Sequence, residues 1–230
     1  MITVTPKLPE ENMKNYAYRL LKNAIMSLQL KPGQFLSEGE LAELLNTSRT
    51  PIREVLTKLK EEHLIEVYPQ IGTYVSKIDF QLIEEATFMR FILEKEILKL
   101  SCQNFSKQSL YELKRNVRQQ EELKDNVENV LAFHQLDKQF HFLIFKENKM
   151  EHIWEEILRL STHYNRMRLL SEMNNHFEEA ITQHKDIIRL IENQDMKSVE
   201  VIAYKHIIEP KKHWNKFIEE SNPYSHYFVH

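Results

Sequence analysis

Residues 30–75 read LKPGQFLSEGELAELLNTSRTPIREVLTKLKEEHLIEVYPQIGTYV. Ser37 stands three residues before Glu40, the spacing of a capping box, and opens a helix carrying Leu41, Ala42, Leu44 and Leu45. A turn follows at Asn46. Thr47 or Ser48 caps the next helix, with Pro51 in its first turn, where a missing N–H breaks no intrahelical bond. Ile52, Val55, Leu56 and Leu59 fall at i, i+3, i+4 and i+7, a buried stripe that leaves Arg49, Arg53 and Lys60 off it. Beyond Leu64, Ile65–Tyr68 and Thr73–Val75 flank Pro69-Gln70-Ile71-Gly72, which predicts a small β-hairpin with Gly72 at its tip. Upstream, Ala17, Leu20, Leu21, Ala24, Ile25 and Leu28 give a first helix its core face, with Pro32-Gly33 as its stop. Three helices and a hairpin in this order read as a winged helix-turn-helix.

Such a unit has one common use, placing its last helix in the major groove of duplex DNA. Arg49 and Arg53 lie one turn apart at the electropositive start of that helix, so the site suits phosphates, and their planar forks suit the O6/N7 edge of guanine. The chain carries a net charge of −3; residues 1–78 hold 10 Lys and Arg against 9 Asp and Glu, which is +1 and leaves −4 for the remainder. DNA affinity must therefore come from a local patch on a reader domain. A single cysteine, Cys102, excludes an intrachain disulfide and fits a reducing compartment. No long apolar run suggests a membrane span, and the N-terminus lacks a signal-peptide core, so a cytoplasmic protein is expected. The 230 residues, 42% hydrophobic, suffice for two cores. The organisation expected is a flexible arm over 1–14, the winged helix-turn-helix over 15–78, a helical effector-binding and dimerisation domain over 79–220 and a tail over 221–230. A short hinge, about 76–80, couples the two domains mechanically.

The only three glycines, Gly33, Gly39 and Gly72, lie in the first part of the chain, so the remainder has no Gly-rich phosphate loop. From Phe80 it reads as helix after helix. Leu82, Ala86, Met89, Leu93, Ile97 and Leu100 recur at spacings of three and four, and similar stripes continue to about Ile218. The fold class is mainly α, with six or seven helices in an antiparallel bundle after the wing. Four polar residues interrupt this pattern. Asp137 and His141 are one turn apart on the face of Phe133, Phe140 and Ile144, so both point inward. His184 stands in the stripe Phe177, Ala180, Ile181, Ile187, Ile188, Ile191, and His206 sits between Ile202, Ala203 and Ile207. A turn near Asn193–Asp195 folds these two segments into an antiparallel pair, and at ~1.5 Å per residue the two rings return to nearly one level. Three imidazoles and a carboxylate converging in a bundle suit Zn²⁺, Ni²⁺, Mn²⁺ or Fe²⁺, with one or two positions left for a ligand oxygen. The alternative is a set of separate core polar groups, each satisfied by hydrogen bonds. His134, His152, His163 and His176 show no comparable pattern and read as structural or exposed.

The chain resembles the GntR family of bacterial transcription regulators through LKPG (30–33), LSE (36–38), ELAE (40–43), SRTPIRE (48–54) and the wing glycine at 72. The resemblance puts recognition-helix contacts on Arg49 and Arg53, with Ser48 and Thr50 as phosphate or base-edge partners and Gly72 letting the wing approach the minor groove. Position 39 is glycine where many relatives are basic, and Gln70 and Ile71 stand where Arg or Lys is usual. The helical remainder resembles the FCD effector domain of the FadR subgroup, many of whose members bind a divalent metal with D-x-x-x-H and two later histidines about twenty-two residues apart. Asp137-Lys-Gln-Phe-His141 and the spacing of His184 and His206 match. The R-x-x-L/I-E element appears as Arg90-Phe-Ile-Leu-Glu94; there Arg90 is either a carboxylate clamp facing the effector or an ordinary ion pair with Glu94. Arg166 is a second effector candidate, and at least one of Arg166 and Arg168 is expected to be a solvated surface charge. The resemblance implies a homodimer on a short inverted-repeat operator in double-stranded DNA, a small carboxylate effector held at the metal, zinc first among the candidates, and a repressor rather than an enzyme. The rival readings are a regulator for which the ion itself is the signal, a metal-dependent enzyme, and a fatty-acyl-responsive regulator, whose relatives lack the metal residues.

Overall fold

The computed structural model describes residues 2–124, 126–174 and 177–229. The chain separates into two compact units, Met1–Phe80 with Phe217–His230, and Gln81–Lys216.

The first unit holds helices α1 (Met13–Met26), α2 (Glu38–Leu44) and α3 (Arg49–Glu61) and strands β1 (Phe35–Leu36), β2 (Ile65–Tyr68) and β3 (Gly72–Val75). The predicted stripes are its core: Leu20, Leu21, Ala24 and Ile25 of α1 meet Ile52, Val55, Leu56 and Leu59 of α3. Ser37 caps α2 by accepting from Glu40 N, while Ser48 occupies the cap position of α3 without a side-chain bond. The wing is a three-stranded antiparallel sheet in the order β1-β3-β2, not a hairpin alone, because Phe35 and Leu36 pair with Tyr74 and Thr73. Gly72 is the first residue of β3, paired with Tyr68, and Gln70 and Ile71 form the tip instead. Its φ of +151° and the 2.6 Å that would separate an added Cβ from the Phe35 ring explain why glycine stands there.

The first helix ends at Met26, earlier than the Pro32-Gly33 stop expected from the sequence. Leu28 turns the chain at φ 59°. The ends of α2 and α3 use the same device, with Asn46 and His63 at positive φ closing bonds from Thr47 N to Ala42 O and from Leu64 N to Leu59 O. Residues before α1 are tied to it: Arg19 binds Glu11 and the Pro6 carbonyl, and the Tyr16 hydroxyl donates to Thr5 O. The C-terminal segment also belongs to this unit. Phe228 is fully buried, Ile78 N donates to Tyr227 O, Val229 N donates to Ile78 O, and the Phe80 and Phe228 rings lie 5.4 Å apart.

The second unit is a bundle of α4 (Phe80–Gln103, from Gln81 on), α5 (Lys107–Leu123), α6 (Val130–Glu147), α7 (Glu151–Leu160), α8 (Thr162–Asn174), α9 (Glu178–Glu192) and α10 (Val199–Ile207). Its core gathers Leu113, Phe133, Phe140, Trp154, Ile157 and Ile187, with Phe133 stacked on Phe177 at 4.2 Å. Each such side chain contributes about 1.5–3 kcal/mol by leaving water, so the bundle can hold polar groups in its centre. None of the described helices is long and apolar enough to cross a membrane.

Candidate functional site

On the first unit, Ser48, Arg49, Thr50 and Arg53 are all exposed at the start of α3, while the stripe beneath them is buried. Helix α2 faces both arginines. Arg53 Nε donates to Glu38 Oε2 at 2.7 Å, and an added Cβ at Gly39 would lie 3.4 Å from Arg49 Nη2, so a side chain at position 39 would crowd that guanidinium. The tip between β2 and β3 is Gln70 and Ile71, the latter 70% exposed.

On the second unit, α6 supplies Asp137 and His141, α9 supplies His184 and α10 supplies His206, and all four are buried. One ring nitrogen from each histidine lies within 4.8 Å of the others, an arrangement able to hold a metal ion. The outer nitrogens fix the tautomers. Asn116 Nδ2 donates to Leu136 O, Gln120 Nε2 donates to Asn116 Oδ1, and Gln120 Oε1 is therefore left to accept from His184 Nδ1 at 2.7 Å. Gln183 Nε2 donates to Lys205 O, so Gln183 Oε1 accepts from His206 Nδ1 at 2.9 Å. Glu94 Oε2 stands 2.9 Å from His141 Nδ1. With each Nδ1 carrying the proton, the three Nε2 lone pairs turn inward together, the outer-partner pattern of histidine metal ligands.

Those lone pairs have no good use in the protein alone. His206 Nε2 and His141 Nε2 face each other at 3.1 Å, and His184 Nε2 lies 3.1 Å from Asp137 Oδ1 but off the line a hydrogen bond needs, so that buried nitrogen is unpartnered. A proton on His141 would relieve one ring pair; a cation would serve all four groups, so the residues present fit a metal ion. The electrostatics agree. Burial, then His184 and His141, hold His206 well below the usual imidazole value. Burial lowers His184 against the opposing pull of Asp137. Burial pushes the Asp137 carboxyl up, but the Arg168 guanidinium, the His184 contact and His141 outweigh it and keep it well below the carboxylate range. Neutral His184 and His206 and an ionised Asp137 are protonation states that suit a cation.

A cleft of about 280 Å³ reaches this group, lined among others by Arg168, Glu172, Gln183, His206, His213 and Trp214. Arg168 forms a two-point ion pair with Asp137 at 2.8 and 2.6 Å and donates to Glu172 at 2.9 Å. Burial works against its charge, but Asp137 and Glu172 outweigh it and keep the guanidinium protonated, above its usual range.

The chain matches two family profiles: the gntR family of bacterial regulatory proteins over residues 14–75 and the FCD domain over residues 85–209. It is 30% identical over 210 residues to the HTH-type transcriptional repressor RspR of Escherichia coli K12, covering 90% of this chain and 92% of that one. The protein is a GntR-family transcriptional regulator with an FCD domain. Solved structures agree on the fold: E. coli McbR/YncC superposes with a TM-score of 0.75 at 19% identity, over 90% of this chain and 98% of that one. A GntR regulator from Rhodococcus sp. RHA1 gives 0.72 at 18% identity, over 88% and 97%.

In this GntR/FCD regulator the sequence-derived set Asp137, His141, His184 and His206 comes together, whereas the two arginines expected at an effector do not line the cleft. Arg90 is 2% exposed; its Nε stands 2.8 Å from Glu94 Oε1 in a close ion pair, and its guanidinium packs over Tyr164 and Trp154. Arg166 is fully buried, with Nη2 3.3 Å from both ring nitrogens of His163. Neither Arg166 nor Arg168 is a solvated charge, since the Arg168 side chain is 11% exposed. His134 pairs with Glu172, His152 is exposed and His163 is buried, while His176 lies outside the described residues. Sequence reasoning missed Gln120, Gln183 and Arg168. A signal existed for the first: Leu113, Asn116, Val117 and Gln120 fall at i, i+3, i+4 and i+7, which puts two amides in a core stripe.

Proposed function

We propose that this regulator is a repressor, acting in the cytoplasm, whose operator affinity is set by a small organic acid bound at a divalent metal in the FCD bundle. The observation that carries the reading is the convergence of three imidazole Nε2 atoms and Asp137, each ring fixed from behind by Glu94, Gln120 or Gln183. Three nitrogens and one carboxylate oxygen favour Zn²⁺, with Ni²⁺, Mn²⁺ and Fe²⁺ as alternatives. When bound, the ion supplies a Lewis-acidic anchor for a carboxylate. His141, His184, His206 and Asp137 would hold it, and the cleft beside His206 would admit the acid.

Operator reading falls to Arg49 and Arg53 with Ser48 and Thr50, and the neutral Gln70-Ile71 tip is what the wing offers a minor groove. A homodimer on an inverted repeat is supported by the outer face of α4. Phe88 is 71% and Ile92 39% exposed, and on α10, whose Tyr204 ring lies 6.3 Å from that of Phe91, Val201 and Tyr204 are exposed as well. Two copies packed about a two-fold axis would bury this apolar patch against itself, the form an isologous contact takes.

Thermal melting with and without a chelator, across hydroxy, keto and sugar acids, tests the reading. A ligand that binds only the folded state raises the melting temperature by mass action. The expected result is one acid that stabilises the metal-loaded protein and releases operator DNA, with both effects lost on chelation. DNA affinity that follows free Zn²⁺ with no acid active would favour the ion itself as the signal.

A further inference from the structure

Asp137 has two claimants for one oxygen. Arg168 Nη2 donates to Oδ1 at 2.6 Å while Nη1 donates to Oδ2 at 2.8 Å. The same Oδ1 faces His184 Nε2 at 3.1 Å and His141 Nε2 at 3.9 Å. Oδ1 thus faces Arg168 and the rings at once, and a cation among the rings would draw on the same negative charge that now holds the guanidinium. Arg168 has somewhere else to go. Its Nε already donates to Glu172 Oε1 at 2.9 Å, and its side chain lines the cleft that also reaches His206.

We propose that Arg168 is an exchange group: it closes on Asp137 in the metal-free protein, and once Asp137 gives Oδ1 to a cation, the freed guanidinium N–H groups take the carboxylate of a small acid in the cleft. The inference rests on the metal reading above and adds to it the residue that receives the acid and the sign of the coupling. Charge supplies that sign. Arg168 lies between Asp137 and Glu172, its positive charge already answered. A divalent ion beside this triad adds two positive charges in a buried setting, and a carboxylate arriving at the released guanidinium offsets one of them. Metal and carboxylate should each favour the other, and linkage requires that the two effects be equal in size.

The test uses the whole protein, with Zn²⁺ as the metal and acetate as the simplest carboxylate. Zn²⁺ affinity is measured by competition with a chelating dye, with and without saturating acetate. In the wild-type protein acetate is expected to raise Zn²⁺ affinity by about tenfold, within the usual range of such couplings, and Zn²⁺ to raise acetate affinity by the same factor. Arg168→Gln removes the rival for Asp137, so it should bind Zn²⁺ more tightly than wild type without acetate and gain less than wild type from acetate. Arg168→Lys keeps the charge but not the two-point fork; it should stay folded with weakened coupling, which preserves the test if the glutamine variant unfolds. A folded Arg168→Gln protein with undiminished acetate coupling, or with weaker Zn²⁺ binding in its absence, overturns the proposal. Wild-type protein that binds Zn²⁺ with no acetate dependence overturns it alone, whereas wild-type protein that binds no metal overturns the metal reading as well.

Discussion

The start of α3 and the centre of the FCD bundle both carry clustered polar residues, yet they are built in opposite ways. Arg49 and Arg53 are exposed, Arg53 is paired with Glu38 on the preceding helix, and an apolar stripe lies buried beneath them. The bundle site is buried and non-local. His184 is oriented by Gln120, sixty-four residues away, and His141 meets His206 across sixty-five. A surface reader can therefore change its residues at little cost to folding, while the buried site ties ligand geometry to stability, because each of its charges is answered only by its neighbours.

Substitutions at the two places should differ in what they cost. The largest effect is expected at Arg90, which does not line the cleft. Arg90→Ala leaves Glu94 buried without its counter-charge, and urea unfolding should show a loss of about 3–5 kcal/mol, together with weaker metal retention, since Glu94 also orients His141. A stability unchanged from wild type would mean that the buried site is as tolerant as the surface. Next come Arg49→Ala and Arg53→Ala, each expected to weaken operator binding by about 1–3 kcal/mol with an unaltered melting curve. Operator titration under fixed salt reads this out, and full affinity in both variants would remove the recognition assignment. Gly72→Ala is expected to cost about 1–3 kcal/mol through its positive φ and the Phe35 ring, an effect within the winged unit that leaves metal binding intact. The smallest change is at Glu38. Glu38→Gln releases Arg53 and removes an acid beside the phosphates, so operator affinity should rise by under about 1 kcal/mol; a fall would show that Glu38 positions Arg53 for reading.

The same contrast decides what the sequence makes legible. The helices of the winged unit follow from short periodic stripes, and the bundle from repeated spacings of three and four. Strand β1 is invisible because two residues become a strand only by pairing with Thr73 and Tyr74. The end of α1 is not legible in the sequence because the chain reverses through Leu28 at positive φ, a conformation that a leucine does not signal. Gly72 drew attention as a turn residue, yet its reason is the ring packed over it. In the bundle, Asp137, His141, His184 and His206 stand out because polar groups in an apolar stripe are conspicuous. Arg168 does not, because nothing in its own helix says that it will meet a carboxylate thirty-one residues earlier in the chain.

The decisive measurement is metal content. Protein reconstituted with Zn²⁺ and dialysed should retain one equivalent per chain by elemental analysis, and His184→Ala should retain none while the helical content and operator binding of the winged unit persist. Wild-type protein that keeps no metal, or a His184→Ala protein that keeps a full equivalent, would contradict the account.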